Sequence, residues 1–324
     1  MTAPEYSFVI PVHNEVETLP ELARQLTDVM ARLDGSAEVV LVDDGSTDGS
    51  FEIMRGLHEH DDRFRVLRLS RNFGHQIAIT AGLDHVDGNA IVVMDADLQD
   101  PPEVVLEMAQ RWRDGYSVVY AVRDSRSGEG VVKRLTAKWF YRLLDRVTDT
   151  PIPLDAGDFR LIDRQALTAV RSMREHNRYL RGMFAWVGFD QTGVRYVRPA
   201  RVAGTTKFSM RKMTTFATDG VLSFSAAPLR LALKLGFVIS TMAFFAGFAA
   251  IVCKVAGVYT VPGWASLSVA VALLGGVQLI ILGVIGEYIA RIYEEVRQRP
   301  LYLVRETVGL DSEGPLPTPG SPRP

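Results

Sequence analysis

The first 121 residues alternate short apolar segments with longer segments of helical spacing. The apolar segments are Tyr6–Val12, Val39–Val42, Arg65–Leu69, Ala90–Met94 and Ser117–Ala121. The segments between them are Glu17–Leu33, Asp48–Glu59, Gln76–His85 and Pro102–Arg113. This alternation is typical of βαβ units, in which helices cover both faces of a mostly parallel sheet. The pattern therefore predicts an α/β fold with a Rossmann-like sheet.

Two segments near the other end of the chain, Leu235–Val252 and Pro262–Gly286, contain no charged residue. As helices they would be about 27 and 37 Å long, against a bilayer hydrocarbon core of about 30 Å. Buried core helices of a soluble domain are the alternative. Helices of soluble proteins rarely stay uncharged all round over such a length. We therefore predict a transmembrane hairpin, with helices at about 235–253 and 262–286.

The charges that flank the two apolar segments predict their orientation. Basic residues precede the first segment and follow the second: Arg211, Lys212, Arg230, Lys234, Arg291, Arg297, Arg299 and Arg305. The connection between them carries only Lys254. The positive-inside rule then places both chain ends in the cytoplasm, as in a multi-pass protein of the inner (plasma) membrane. The N-terminus lacks the basic region of a signal peptide.

Composition excludes several classes of protein. Lys+Arg 36 against Asp+Glu 38 gives a net charge of -2, without the basic excess of a general nucleic-acid binder. The single cysteine, Cys253, excludes a disulfide framework and a cysteine-rich zinc site.

We predict that the chain divides into a cytoplasmic domain (1–207), interfacial amphipathic helices (208–230), the transmembrane pair (231–290) and a cytoplasmic C-terminal segment (291–324). Its proline-rich tail after Glu306 is predicted to be disordered.

Polar side chains cluster directly after the predicted strands. They are His13, Asn14 and Glu15 after the first, Asp43 and Asp44 after the second, Arg71 and Asn72 after the third, and Asp95, Asp97 and Gln99 after the fourth. In open α/β sheets, ligands bind outside the carboxyl ends of the strands. Neither a dinucleotide-binding glycine motif nor a phosphate-binding P-loop is present. We expect a different kind of binding site at this edge.

Two acidic motifs carry the candidate chemistry of this edge. Asp95, Asp97 and Gln99 occupy alternate positions, and three oxygen ligands on one side of a strand end suit Mg²⁺ or Mn²⁺. Solvated loop acids are the alternative. Asp43 and Asp44 are adjacent and repel each other unless a hydrogen-bonding group meets them. A nucleobase edge or a ribose hydroxyl would serve.

Two further motifs have open roles. His75 and Gln76 begin a predicted helix, where they are either simple polar caps or site residues. Asp158 lies in an apolar neighbourhood, as a buried ion-paired structural acid or as a catalytic carboxylate. In the second case its charge would repel an incoming phosphate unless Arg160 or another cation offsets it.

Together these motifs resemble family 2 glycosyltransferases of the GT-A fold. The similar strings are FVIPVHNE, LVDDGSTDGS, SRNFGHQIAITAGL, MDADLQDPPE, GDFRLIDR, RVAGTTKFS and GEYIARIYEEVRQRP, in order over nearly the whole chain. The chain is most similar to the polyprenyl-phosphate glycosyltransferases, which include dolichol-phosphate mannose synthase and the bactoprenol glucosyltransferases. The membrane hairpin also belongs to the bactoprenol subgroup.

The resemblance implies roles for individual residues. Those implied to bind the nucleotide sugar are Pro11, Glu15, Asp43, Asp44, Asp95, Ala96, Arg201 and Lys207. Asp95, Asp97 and Gln99 are implied to hold Mg²⁺ or Mn²⁺. Asp97 and Asp158 are implied to be catalytic, and Arg123 and Arg134 to contact the lipid phosphate.

The implied reaction is an inverting transfer of a sugar, with UDP-glucose as the first candidate donor, to undecaprenyl phosphate at the cytoplasmic membrane face. The implied partners are the donor, the lipid acceptor, the bilayer and one or three further copies of the chain, without nucleic acid. One alternative is a polysaccharide acceptor, which the missing Q-x-x-R-W string of processive synthases disfavours. The other is a membrane-anchored nucleotide-sugar sensor without turnover, which the intact acids at residues 95–99 disfavour.

Overall fold

A computed structural model of the chain describes residues 3–123, 156–197, 227–256 and 263–310. Its strands are β1 (Tyr6–Val12), β2 (Ala37–Asp43), β3 (Phe64–Leu69), β4 (Ala90–Val93), β5 (Val118–Arg123), β6 (Ala156–Asp163), β7 (Gln191–Tyr196) and β8 (Val304–Val308). Its helices are α1 (Leu19–Arg32), α2 (Ser50–His60), α3 (His75–Asp84), α4 (Val104–Arg113), α5 (Arg164–Ser172), α6 (Leu180–Trp186), α7 (Ala227–Val255) and α8 (Trp264–Val296).

The strands form one mixed sheet in the order β7-β5-β6-β4-β1-β2-β3-β8. Its centre, β4-β1-β2-β3, is parallel throughout. Every residue of β1 and β4 is buried, as strands covered on both faces require. Helix α1 buries the apolar stripe Leu19, Leu22, Leu26 and Val29 against this sheet. Pro20 lies in its first turn, where a proline is well tolerated. The predicted α/β fold is confirmed.

Three strands of the sheet were not predicted. Strand β6 inserts antiparallel between β4 and β5, and β7 then pairs parallel with β5. Strand β8 pairs antiparallel with β3, so the chain returns to the sheet after the last apolar helix. Thr307 and Val308 belong to β8. The prediction of a disordered tail directly after Glu306 is therefore wrong for these two residues, while residues 311–324 lie outside the described part of the chain.

The two apolar segments form α7 and α8, which contact each other. Both are long and apolar enough to cross a membrane, over Ala232–Ala249 and Leu273–Val296, and neither stretch is buried in the soluble domain. This exposure favours membrane helices over core helices. Residues 227–230, predicted to be interfacial, form the first turn of α7, and α8 continues beyond the predicted end at Gly286. The remaining interfacial segment, 208–226, lies outside the described residues.

Candidate functional site

A cleft of about 220 Å³ lies at the carboxyl ends of β1, β2 and β4. Its lining consists of Pro11, Val12, His13, Glu15, Asp44, His75, Ala78, Asp95, Ala96 and Asp97. Six of these were predicted as site residues: Pro11, Glu15, Asp44, Asp95, Ala96 and Asp97. The parallel sheet brings them together because its neighbouring strands end at the same edge. The predicted residues Asp43 and Gln99 are not part of this lining and lie close behind it.

Backbone amides hold Asp44 in the cleft wall. Its Oδ1 accepts a hydrogen bond from Phe73 N (2.7 Å), and its Oδ2 accepts one from Gly74 N (2.9 Å). Gly45 follows with a φ of 70°, and a Cβ there would lie 2.6 Å from Asn72 N. Only glycine therefore permits the β2–α2 turn to pack this closely on the loop after β3. The two loops form one rigid wall.

Asp43 lies beneath this wall and is completely buried. Its Oδ1 accepts a hydrogen bond from Ser46 N (2.8 Å), and its Oδ2 is 3.1 Å from Arg68 Nε. Arg68, a residue of β3, thus supplies the positive charge that offsets the adjacent carboxylates of Asp43 and Asp44. These contacts explain how two neighbouring acids coexist at a strand end, and they leave only Asp44 facing the cleft.

The loop after β1 is tied to the same turn. Asn14 adopts a φ of 57°, donates from its backbone to Ser46 Oγ (3.1 Å) and accepts a hydrogen bond from Thr47 N through Oδ1 (2.8 Å). His13 Nδ1 lies 2.9 Å from the Asp44 carbonyl oxygen. Glu15 N donates to Ser50 Oγ (3.0 Å). The ends of β1 and β2 are therefore crosslinked at the mouth of the cleft.

The acidic loop after β4 contains a strained residue between its polar side chains. Leu98 has a φ of 57°, in the left-handed region that bulky residues rarely adopt. This turn lets Gln99 N donate to Asp97 Oδ1 (3.1 Å). Gln99 and Asp100 are buried, and Tyr196 of β7 donates a hydrogen bond to Asp100. The loop is therefore anchored beneath the two acids that line the cleft, Asp95 and Asp97.

Asp95 is electrostatically unusual. Burial raises its pKa to about 6; His75 opposes this rise, whereas the charges of Asp158, Asp97 and Asp100 add to it. Its Oδ1 atom is inaccessible to solvent and accepts no hydrogen bond within bonding geometry, although His75 Nε2 lies 3.4 Å away. Such an oxygen fits a cation. Among the described residues, however, no cluster of three or more His, Cys, Asp or Glu side chains is arranged to hold a metal ion.

Asp158, near the start of β6, is held by side chains from two helices. Arg181 of α6 donates to both carboxylate oxygens, from Nε to Oδ1 (2.8 Å) and from Nη2 to Oδ2 (3.2 Å). His75 Nε2 of α3 lies 3.3 Å from Oδ2. Gln76 Nε2 donates to the same oxygen (3.4 Å). His75 thus stands between Asp158 and the cleft acid Asp95.

These partners keep Asp158 ionised. Burial alone would raise its pKa, but the hydrogen bond from His75 and the charges of Arg181 and Arg160 hold that pKa well below its usual range. Burial alone would lower the pKa of Arg181. The charge of Asp158 and its hydrogen bonds outweigh this effect and raise that pKa above its ordinary value. The pair therefore remains a carboxylate and a guanidinium at neutral pH.

The cation that offsets Asp158 directly is Arg181, which the sequence analysis missed. Arg160, named there first, donates instead to the carbonyl oxygen of Gly157 (2.8 Å) and stacks on Phe184 (4.4 Å). The remaining predicted basic residues are not tested by this geometry. Arg123 ends β5, and its side chain is not described; Arg134, Arg201 and Lys207 lie outside the described residues.

Comparisons with known proteins agree with this architecture. Over 95% of its length the chain is 48% identical to "Uncharacterized glycosyltransferase YkcC" of Bacillus subtilis, covering 96% of that protein. It is 38% identical to the SfII prophage-derived bactoprenol glucosyl transferase of Shigella flexneri, over 93% of this chain and 97% of the relative.

A mannosyl-3-phosphoglycerate synthase of Rubrobacter xylanophilus aligns in three dimensions with a TM-score of 0.46 and 19% identity, over 72% of this chain and 75% of that one. An alignment this loose carries no argument about substrate. Residues 7–171, which include β2 to β6, all of β1 except Tyr6 and every described acid of the site, match Glycosyl transferase family 2. This match and the identity of its relatives show that the chain is a glycosyltransferase and a member of family 2.

Proposed function

We propose that this glycosyltransferase transfers a hexose from a nucleotide sugar to a polyprenyl phosphate such as undecaprenyl phosphate. The first candidate donor is UDP-glucose. The observation that carries the proposal is the continuity of two acid sites. Asp95, which lines the cleft with Asp97, is joined through His75 to Asp158. A donor at the strand ends and an acceptor beside Asp158 would then meet over His75. The 38% identity to a bactoprenol glucosyl transferase over nearly the full chain supports a lipid acceptor.

The proposed chemistry is a single displacement. An oxygen of the acceptor phosphate attacks the anomeric carbon, the bond from that carbon to the nucleoside diphosphate breaks, and configuration inverts. A phosphomonoester has a second pKa of about 6, so the acceptor is already largely anionic at neutral pH. Asp158 has no proton to remove from such an acceptor. In this proposal it orients Arg181 and His75 on the acceptor side of the cleft.

The donor diphosphate requires positive charge at the cleft. Asp95 and Asp97, with the side-chain amide oxygen of Gln99, would hold Mg²⁺ or Mn²⁺. Asp95 Oδ1 fits such a ligand set because it is inaccessible to solvent and has no hydrogen-bond donor among the described residues. When bound, this cation would neutralise negative charge on the leaving diphosphate.

The apolar helices fit a lipid-linked acceptor. A polyprenyl tail stays in the bilayer, so a domain that uses its phosphate must remain at the membrane surface. Helices α7 and α8 would provide this anchor. The basic residues at their flanks support an arrangement with the soluble domain on the cytoplasmic side.

The experiment uses membranes that contain the full chain, polyprenyl phosphate, Mg²⁺ or Mn²⁺, and radiolabelled UDP-glucose, GDP-mannose and related donors. We expect label in an organic-extractable, mild-acid-labile lipid. Asp97→Ala should lower this labelling by at least about hundredfold, since it removes electrostatic stabilisation of the leaving group. Asp62→Ala, an exposed acid remote from the cleft, is the matched control. Label found only in polymer, or in no product, would contradict the proposal.

A further inference from the structure

The last turns of α8 contact the soluble domain through two adjacent acids. Glu295 Oε1 accepts a hydrogen bond from His176 N (2.7 Å), and Glu295 Oε2 lies 3.2 Å from His176 Nδ1. Asn177 Nδ2 donates to Glu294 Oε2 (3.1 Å). The other ring nitrogen of His176 lies 2.8 Å from the Arg299 carbonyl oxygen, just beyond the helix. We call His176, Asn177, Glu294 and Glu295 the α8 clasp.

The segment that carries the clasp, residues 173–179, has little freedom to absorb a displacement of α8. It joins α5 to α6 and is fixed on both sides of His176. Arg174 Nη1 donates to both carboxylate oxygens of Asp84 (2.9 and 3.0 Å), at the end of α3. Arg178 is buried and donates to the Met173 carbonyl oxygen (2.7 Å). A displacement of α8 would therefore be transmitted along the segment and not absorbed within it.

The same segment leads directly into the residues that hold Asp158. Leu180 N, at the start of α6, donates to Gln76 Oε1 (3.0 Å), and the next residue, Arg181, binds Asp158 at both oxygens. Arg181 lies four positions after Asn177, a distance of at most about 14 Å for an extended chain. The clasp and the Asp158 pair thus share one short, well-bonded connection.

We propose that the α8 clasp positions Arg181 against Asp158. The position of the apolar helix α8 is thereby linked to the geometry of the acceptor side of the site. This inference rests on the proposed lipid acceptor, because only a substrate fixed in the bilayer requires Asp158 at a defined height above it. His176 and Glu295 act through Arg181 and are positioning residues. Displacements of about 1 Å at such a position can lower a rate about hundredfold.

The test uses the full chain reconstituted in lipid vesicles, with the polyprenyl phosphate and the donor concentrations varied independently. Glu295→Ala and His176→Ala should each lower kcat/KM for the acceptor by about tenfold and leave KM for the donor within about twofold. The double variant should lose less than the product of the two single losses, because both changes break the contact between His176 Nδ1 and Glu295 Oε2. Glu295→Gln retains the oxygen that accepts from His176 N, so it should recover most of the activity.

Glu287→Ala is the matched control, since this acid lies on α8 and pairs with Arg291 of the same helix. It should leave both substrate dependences unchanged. Wild-type kinetics in Glu295→Ala and His176→Ala would overturn the clasp while the proposed function stands. Equal losses for donor and acceptor would also overturn it, since they would indicate a general loss of folded protein. If the wild type forms no lipid product, the proposed function fails and the clasp falls with it.

Discussion

Two buried acids of the site are held in different ways. Asp44, in the strand-end region formed by the loops after β1, β2, β3 and β4, receives backbone amides from two consecutive residues. Asp158, in the region that it forms with His75, Gln76 and Arg181, receives side chains alone within the described part of the chain, and they come from two separate helices. Backbone contacts follow from the fold itself. Side-chain contacts depend on how α3 and α6 are placed against β6, so the Asp158 region is the adjustable half of the site.

The largest test of this difference is removal of the Asp158 partner. Arg181→Met leaves a buried carboxylate without its bidentate cation, and we expect sugar transfer to lipid to fall about hundredfold. Arg181→Lys keeps the charge and loses the fork geometry, so its loss should be smaller, about tenfold. The measurements are kcat and KM for each substrate in vesicles.

The exposed helical residue Arg111, which pairs only with Glu107 in the described contacts, provides the control Arg111→Met. It should behave as wild type. In the Arg181 variants, KM for the donor should stay within about twofold, because Asp158, the partner of Arg181 in the described contacts, lies outside the strand-end region. A rise in donor KM as large as the loss of transfer would show that the two regions are not separable.

A second test breaks the backbone-held acid. Asp44→Asn places an amide group against a backbone N–H, which costs about 1–3 kcal/mol for a buried donor left without an acceptor. We expect a lower unfolding temperature and a donor KM raised about tenfold, measured by intrinsic fluorescence and by the transfer assay.

The same chemical change at the N-cap of α5 is the control. Asp163 accepts a hydrogen bond from Ala166 N (2.6 Å) and lies outside the cleft. Asn caps helices as well as Asp, so Asp163→Asn should change neither stability nor donor KM. If Asp44→Asn affects only the acceptor, the division of the site into two regions is wrong.

The smallest expected effect is a pH dependence of stability. The pKa of Asp158 is lowered in the folded protein by His75 and Arg181 against the effect of burial. Its ionised form therefore stabilises the fold at every pH above the unfolded value of about 3.9, and this contribution is lost as pH falls towards the lower folded pKa. The difference in unfolding temperature between wild type and Asp158→Asn should narrow below about pH 4. It should also narrow as pH rises above about 6.5, because Asp158 helps to raise the pKa of His75 against the effect of burial, and this contribution is lost when His75 loses its proton. A difference that stays the same below about pH 4 would contradict this assignment.

The strand-end region could be predicted from sequence because its signals are local. Strand β1 has the predicted bounds, and Glu15, Asp44 and Asp95 line the cleft because each follows a strand of the parallel sheet. Beyond the strand ends, geometry that a pattern does not encode decides the outcome. Asp43 is turned to Arg68 of the neighbouring strand, and that pairing depends on the β2–β3 register.

The Asp158 region could be predicted only in part. Asp158 was identified as a candidate, whereas its partner Arg181 is 23 residues further along and lies in no periodic pattern that sets it apart from nearby arginines. His75 was left between a cap and a site residue, and its contacts with Asp95 and Asp158 favour the second. Strand β8 was missed because it is short and pairs with a strand more than 200 residues away.

Strand β8 also has a practical consequence for anyone who shortens this chain to obtain a water-soluble catalytic fragment. Its hydrogen bonds with β3, the contact from Ser70 N to the Leu303 carbonyl oxygen (2.8 Å) and the pair of Arg55 with Glu306 (2.9 Å) cover the border of the sheet. Truncation ahead of α7 would uncover that border, and an uncovered strand is a template for aggregation. A fragment designed for crystallisation should therefore keep residues 302–310, joined through a linker that replaces the hydrophobic hairpin.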